Sequence, residues 1–353
     1  MRCGDFKTSY AADMAIFETP VSRWLTIGFL VALLAVPAFA SSYWLDVVNR
    51  IAIAAIAALG LNILTGFTGQ ISLGNAAFMA VGAYATAAMA GKLGLPFPMT
   101  IPLAGLVAAA AGMVFGIPSL RLKGLYLAMA TLAAHFIVEF TASHWDAMTG
   151  GVNGISIPPA KLGPYELADD AHLFYLCIPL AAFLTLFARN LFRTRVGKAF
   201  VAIRDQDISA EVMGVRVFRY KLLAFGVSSF YVGVAGSLTA YQAHIISPEN
   251  FPISLAIDQL AMVIIGGLGS VQGALFGAVF MTLLPELLRI ATSELAGYFP
   301  HLTTLFAPLK TGVFGLVIVL FLIFEPDGLA ARWRLIKTYW KLYPFSYLSL
   351  IHI

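Results

Sequence analysis

Apolar runs of bilayer-crossing length recur along almost the whole chain, and this constrains the fold more than any other feature. Hydrocarbon offers a peptide backbone no hydrogen-bond partners, so runs of roughly 18 or more apolar residues must close their own bonds as helices. Composition agrees: 60% of the 353 residues are hydrophobic, 11% are charged, and mean hydropathy is +0.86. A soluble domain of this size could not cover so much apolar surface. The expected fold class is all-α: a polytopic helical membrane protein with about ten transmembrane helices, some of them broken.

The runs fall at 24–40, 47–65, 72–90, 98–117, 124–140, 174–191, 222–241, 257–268, 274–290 and 309–324. Basic residues accumulate on the cytoplasmic side of such proteins, which tests the count. With ten crossings the termini, the turn bearing Arg121 and Lys123, and the basic stretch 189–221 all share one face. The acidic segment 141–171 and the connections 244–251 and 292–301 then face outward. The predicted layout is a cytoplasmic tail at 1–23 and a transmembrane domain at 24–329 with a cytoplasmic loop at 192–220. A second cytoplasmic tail follows at 330–353.

The first run ends Ala38-Phe39-Ala40-Ser41, a small-residue pattern that also fits a signal-peptidase site. An uncleaved span, with Tyr43 and Trp44 as its interfacial belt, is the favoured reading. The net charge of +4 sits beside the spans, so it serves orientation rather than nucleic-acid binding. Cys3 and Cys177 lie far apart in different contexts, with no metal or redox spacing and no expected disulfide.

One stretch, 59–90, is not a plain apolar helix. Asn62, Gln70, Ser72 and Asn75 interrupt it, and Gly60, Gly66, Gly69, Gly74 and Gly82 punctuate it. Unpaired amides are costly in hydrocarbon, so this stretch should face protein or a wet path. Two roles stay open for its amides: contacting a polar solute, or locking helices together. Gly60, Gly82, Gly226, Gly233 and Gly236 read as close-packing positions. An internal echo links Gly66-Phe67-Thr68-Gly69-Gln70-Ile71 with Gly266-Gly267-Leu268-Gly269-Ser270-Val271. Irregular helices at matching places in two halves are a mark of transporters, and the path is expected at Asn62, Gln70, Ser72, Asn75, Gly266 and Gly269.

No catalytic constellation emerges, and no cofactor is expected. The histidines have no zinc spacing, and the glycine-rich pieces lack the Lys-Ser/Thr partner of a phosphate loop. Any nucleotide that drives the protein binds another chain. The ionisable residues inside spans are Glu139, Asp258, Glu286 and His135. The three carboxylates fall near predicted span ends, where the interface solvates them, which counts against an ion-coupled carrier.

In the basic loop, 199–213 reads as one amphipathic helix with Phe200, Ile203, Ile208 and Val212 apolar, ended by Gly214. Such a helix suits the groove of a soluble partner. Asp205, Asp207 and Glu211 argue against lipid headgroups as the alternative.

Six blocks, in order, resemble the M-type permease of branched-chain amino-acid ABC importers. They are LNILTGFTGQISLGNAAFMAVGAY (61–84), RLKGLYLAMATL (121–132), TGGVNGI (149–155), RTRVGKAFVAIRDQDISAEVMGVRVFRYKLLAF (193–225), GGLGSVQGALFGA (266–278) and FEPDGL (324–329). The resemblance covers about 47–329. It implies a bacterial inner-membrane subunit that is not itself an enzyme and that pairs with a related H-type permease. Two cytoplasmic ATPases power the importer, and a periplasmic binding protein delivers leucine, isoleucine or valine. It further implies an ATPase-coupling helix at Arg204, Asp205, Ala210, Glu211 and Gly214, although the longer Glu-Ala-Ala opening of the permease signature is missing. Binding-protein docking is expected at Thr149, Gly150, Gly151 and Asn153, and around 247–253. The same scaffold serves urea and short-amide permeases, which the quoted blocks do not separate.

Overall fold

The computed structural model describes residues 20–119, 122, 124–162, 165–167, 169–295 and 306–342. Cys3, Arg121 and Lys123 lie outside the described residues, as do most of the N-terminal tail and the end of the C-terminal one. Helix α1 (Pro20–Leu34) precedes α2 (Ser42–Leu61), which continues through a π-helical turn (Asn62–Gly66). After a break comes α3 (Asn75–Ala87), extended by a second π turn (Ala88–Lys92). Then follow α4 (Phe97–Ser119), α5 (Leu125–His144), α6 (Asp170–Leu191), and the short α7 (Arg195–Asp205) and α8 (Asp207–Val212). The long α9 (Val217–Ala243) leads to α10 (Ile253–Gly266), α11 (Val271–Leu295), α12 (Phe306–Phe324) and α13 (Gly328–Leu342).

The chain is thus an all-α polytopic membrane protein, and each of the ten apolar runs is helical over most of its described length. Among the described residues, six helices are long and apolar enough to cross a bilayer unaided. They become seven if α12 and α13, bent by 48° at their junction, form one span. Helices α1, α3 and α10 are shorter, with 15, 13 and 14 residues.

Helices α2 and α9 form the centre. Their apolar stretches are 78% and 72% buried, against 22% for α11. Small residues allow this, because helices in lipid are held by close backbone packing rather than by a solvent-driven force. Gly82 of α3 lies on the backbone of Gly233 in α9, and Gly236 lies on the Met79 carbonyl. A Cβ at Gly60 would come within 2.8 Å of Tyr231 Cβ and 2.9 Å of the Ser228 carbonyl. Gly226 is looser, facing the flexible Met113 at 3.2 Å. Polar pins add to this packing: the Thr86 hydroxyl donates to Ser237 Oγ at 2.7 Å between α3 and α9, and the Tyr231 hydroxyl of α9 donates to the Leu184 carbonyl of α6 at 2.8 Å. The outer faces carry exposed Leu106, Val114, Phe140 and Phe183, as suits contact with lipid.

Glu286, one of the carboxylates in the spans, has partners. Arg289 Nε donates to it at 3.1 Å, the Tyr43 hydroxyl also donates to it, and the guanidinium sits 4.7 Å from the Tyr43 ring centre. Asp258 is half-buried in α10.

One sequence expectation is corrected. The helix read at 199–213 is two helices, broken at Gln206, whose backbone is extended at φ −162°, ψ 104°. The apolar residues that seemed to share one face part company there. Phe200 and Ile203 are buried in the bundle, whereas Ile208, Val212 and Met213 are exposed. The acids beside the break are held by different groups: Asp205 by Arg204 and Asp207 by Lys221 on α9, 3.3 Å away. Gly214 does end α8, with φ +87°.

Candidate gate and coupling site

The two glycine segments that echo each other in sequence meet in space. The Asn62 amide donates from Nδ2 to the Ser270 carbonyl at 2.8 Å and accepts from the Gly269 N–H at 2.9 Å. One side chain just past α2 thus supplies the Gly269 N–H with its partner and adds a second donor to the Ser270 carbonyl, which also accepts from the Ala274 N–H where α11 starts. Gly69 and Gly269 hold the same place in the two motifs and share a left-handed backbone, φ +69° and +73°. Only glycine takes that conformation freely. Gly66 packs directly on Gly269, and Gly266 packs on Gly273 and Gly277 across the α10–α11 turn. Gly328, from the FEPDGL block, closes the same turn against Gly267, within 2.6 Å of its Cα for an added Cβ.

The polar side chains of the first break are all buried: Asn62 1%, Gln70 4%, Ser72 1% and Asn75 2% exposed. Asn75 donates to Gln259 Oε1 on α10, and Gln259 Nε2 reaches Met79 Sδ at 3.3 Å. Ser72 Oγ accepts from the Gly74 N–H at 3.3 Å, at the start of α3. Gln70 Nε2 donates to Thr68 Oγ1 at 3.0 Å, while Gln70 Oε1 is left without a partner. Asn62 and Asn75 therefore act as ties between helices, Ser72 shapes the turn into α3, and Gln70 lines an adjoining cavity of about 230 Å3.

Arg204 connects this junction to the basic loop. Its Nη1 donates to the Gly66 carbonyl at 3.3 Å, while Nε and Nη2 donate to Asp205 Oδ1 at 3.1 and 3.0 Å. A cation at a helix C-terminus meets the negative end of the helix dipole and a free carbonyl together. Arg204 also sits over Gly69, and its Nη1 would lie 2.8 Å from a Cβ added to Gly269. Of the other coupling candidates, Ala210 is buried, while Glu211 and Gly214 are exposed beside the apolar tip formed by Ile208, Val212 and Met213.

At the opposite end of the bundle, the two expected docking regions form one cap. Strand β1 (Ile155–Ser156) pairs antiparallel with a later strand (Ile245–Ile246), and the Ile157 N–H donates to the His244 carbonyl at 2.8 Å. The Thr149 hydroxyl lies 2.7 Å from the Ala142 carbonyl and 2.8 Å from that of Trp145, anchoring the loop on α5. Gly150 and Gly151 turn the chain with φ of +74° and +60°, and Val152 and Asn153 are exposed.

Sequence reasoning missed several partners. Gln259 was legible as a lone amide in the apolar run 257–268, and Thr131, which accepts from the Leu73 N–H at 2.9 Å, as a lone aliphatic hydroxyl in 124–140. The backbone partners of Asn62 and Arg204 leave no sequence signal at all.

The family described as branched-chain amino acid transport system / permease component matches residues 43–322. The chain belongs to this permease family. It is 36% identical over 289 residues to the high-affinity branched-chain amino acid transport system permease protein LivM of Salmonella typhimurium, covering 74% of this chain and 68% of the relative. The LivM of Escherichia coli K12 is 35% identical over 296 residues, covering 77% and 70%. A probable LivM from Methanocaldococcus jannaschii is 26% identical over 238 residues, covering 65% and 67%. No solved structure matches the permease. The matched region contains both glycine breaks, Arg204 and the cap formed by 149–157 and 244–246.

Proposed function

We propose that this chain is the M-type permease of an ATP-binding-cassette importer for leucine, isoleucine and valine. It acts in a bacterial inner membrane with an H-type permease, two cytoplasmic ATPases and a periplasmic binding protein. What carries the reading is the identity to two permeases named LivM over about three-quarters of this chain. In this reading the ten helical segments make ten crossings with both termini cytoplasmic, tails at 1–23 and 330–353 flanking the permease domain 24–329. ATP hydrolysis resides in the partner subunits, which dock on the apolar tip of α8 within the loop 192–220. Displacement of α7 and α8 reaches the membrane through Arg204, which pulls on Gly66 and so on the paired breaks. The junction of Asn62, Gly66 and Gly269 is the inner gate, and Gln70 lines the vestibule beneath it. The binding protein docks on the cap at Thr149, Gly150, Gly151 and Asn153.

Reconstitution tests this. The four-component complex in liposomes takes up leucine, isoleucine and valine only with ATP inside and binding protein outside. Uptake by this chain alone down an ion gradient would overturn the reading, and uptake of urea in place of leucine would reassign its solute. Gly214→Pro or Glu211→Arg leaves the complex assembled and hydrolysing ATP but lowers solute moved per ATP. Normal coupling in both variants would remove α8 from the drive train.

A further inference from the structure

Near the capped end of the bundle, α3 and α5 enclose a small cavity of about 10 Å3. Tyr84, His135 and Glu139 supply its polar wall, and Pro248 and Phe251, from the α9–α10 connection, line it as well. Tyr84 is 8% exposed and His135 1%. The Tyr84 hydroxyl and both His135 ring nitrogens have no hydrogen-bond partner. Glu139 Oε2 stands 3.7 Å from His135 Nε2, close in charge terms but too far for a hydrogen bond. Buried polar groups are normally satisfied, so three bare atoms around one cavity contribute nothing to the fold and ask for another reason.

Glu139 adds a second anomaly. Its side chain is 44% exposed on a helix whose neighbouring outward positions are Phe136, Ile137 and Phe140. A carboxylate within a span faces a water-filled path or a protein partner rather than lipid. The cavity has room for one water-sized group, which an ammonium matches and a guanidinium or branched side chain does not. Its chemistry is one-sided: a carboxylate, a phenol oxygen and an imidazole accept hydrogen bonds from a cation, and no Lys or Arg lines the wall. An anion would meet Glu139 unopposed.

We infer that Tyr84, His135 and Glu139 form an entry site for the ammonium group of the transported amino acid. This rests on the importer reading and assigns that importer a first contact on the delivery side. The cavity is closed by a segment suited to respond to docking. Pro248–Asn250 is a short helical turn fixed by Ser247, whose N–H and hydroxyl both donate to Asn250 Oδ1 at 2.8 Å. The same connection is tied to the cap by the pairing of Ile155 with Ile246. A load on the cap moves Pro248 and Phe251 as one piece and uncovers the site.

The test uses the complete complex in liposomes, with Cys3→Ser throughout. Glu139→Gln lowers leucine uptake about tenfold or more, the scale of one charge-assisted hydrogen bond. Basal ATP hydrolysis stays unchanged, and Glu139→Asp restores part of the uptake. Independently, Tyr84→Cys reacts with a cationic methanethiosulfonate reagent added outside about tenfold faster than with an anionic one, and adding Glu139→Gln abolishes the difference. Wild-type uptake by Glu139→Gln, or equal or absent labelling by the two reagents, overturns the site. If the unmodified complex moves no leucine, the importer reading fails instead, so the two failures are distinct.

Discussion

The two ends of the bundle use buried polar groups in opposite ways. At the Asn62 junction the amide and the backbone groups it faces are paired, and Arg204 adds a further bond to Gly66. At the capped end, Tyr84 and His135 are buried as deeply but have nothing to bond. A satisfied network gives one geometry and moves as a unit; an unsatisfied one holds binding capacity in reserve. In the importer reading, the contrast separates a part that transmits force from a part that meets a ligand.

Removing the largest tie should break the contrast most visibly. Asn62→Leu strands the Gly269 N–H, while the Ser270 carbonyl keeps the Ala274 N–H, and should cost about 1–3 kcal/mol on thermal unfolding of the purified complex. A variant as stable as wild type would mean the two breaks are held by packing alone. Arg204→Gln comes next: ATP hydrolysis persists while solute moved per ATP drops about tenfold, and Arg204→Lys recovers part, because a lysine reaches the carbonyl but loses the fork to Asp205. Gly69→Ala and Gly269→Ala each force a left-handed alanine, costing about 1–2 kcal/mol. Gly269→Ala should be the worse, since its methyl also meets Arg204 and the Gly66 carbonyl at 2.8 and 3.1 Å. The smallest effect on stability belongs to Tyr84→Phe, which deletes a hydroxyl that has no partner. Its stability should equal or exceed that of wild type, by up to about 1 kcal/mol, while uptake falls. A clear loss of stability there would place Tyr84 on the same footing as Asn62.

Much of this was legible in the chain. Hydropathy located the helical segments, and the glycine motifs marked both breaks. The polar interruptions at Asn62 and Asn75 signalled protein contact rather than lipid. What stayed hidden is three-dimensional pairing across roughly 200 residues, as between Asn62 and Gly269, because a backbone partner has no residue type to recognise. The split at Gln206 was hidden for a related reason. Phe200, Ile203, Ile208 and Val212 keep helical spacing through it, and only burial reveals that two belong to the bundle and two to the outside. The number of crossings was not legible from apolarity alone, since α1, α3 and α10 are short of bilayer length.

That split at Gln206 also makes the loop modular. Helix α7 is part of the permease's own core, whereas α8 touches it chiefly through Ala210 and the Asp207–Lys221 pair. In the importer reading, exchanging residues 207–214 for those of another permease would therefore change which motor the bundle accepts while leaving its helix packing intact. On that reading, eight residues suffice to rewire the engine of such a transporter, without redesigning the helix bundle it drives.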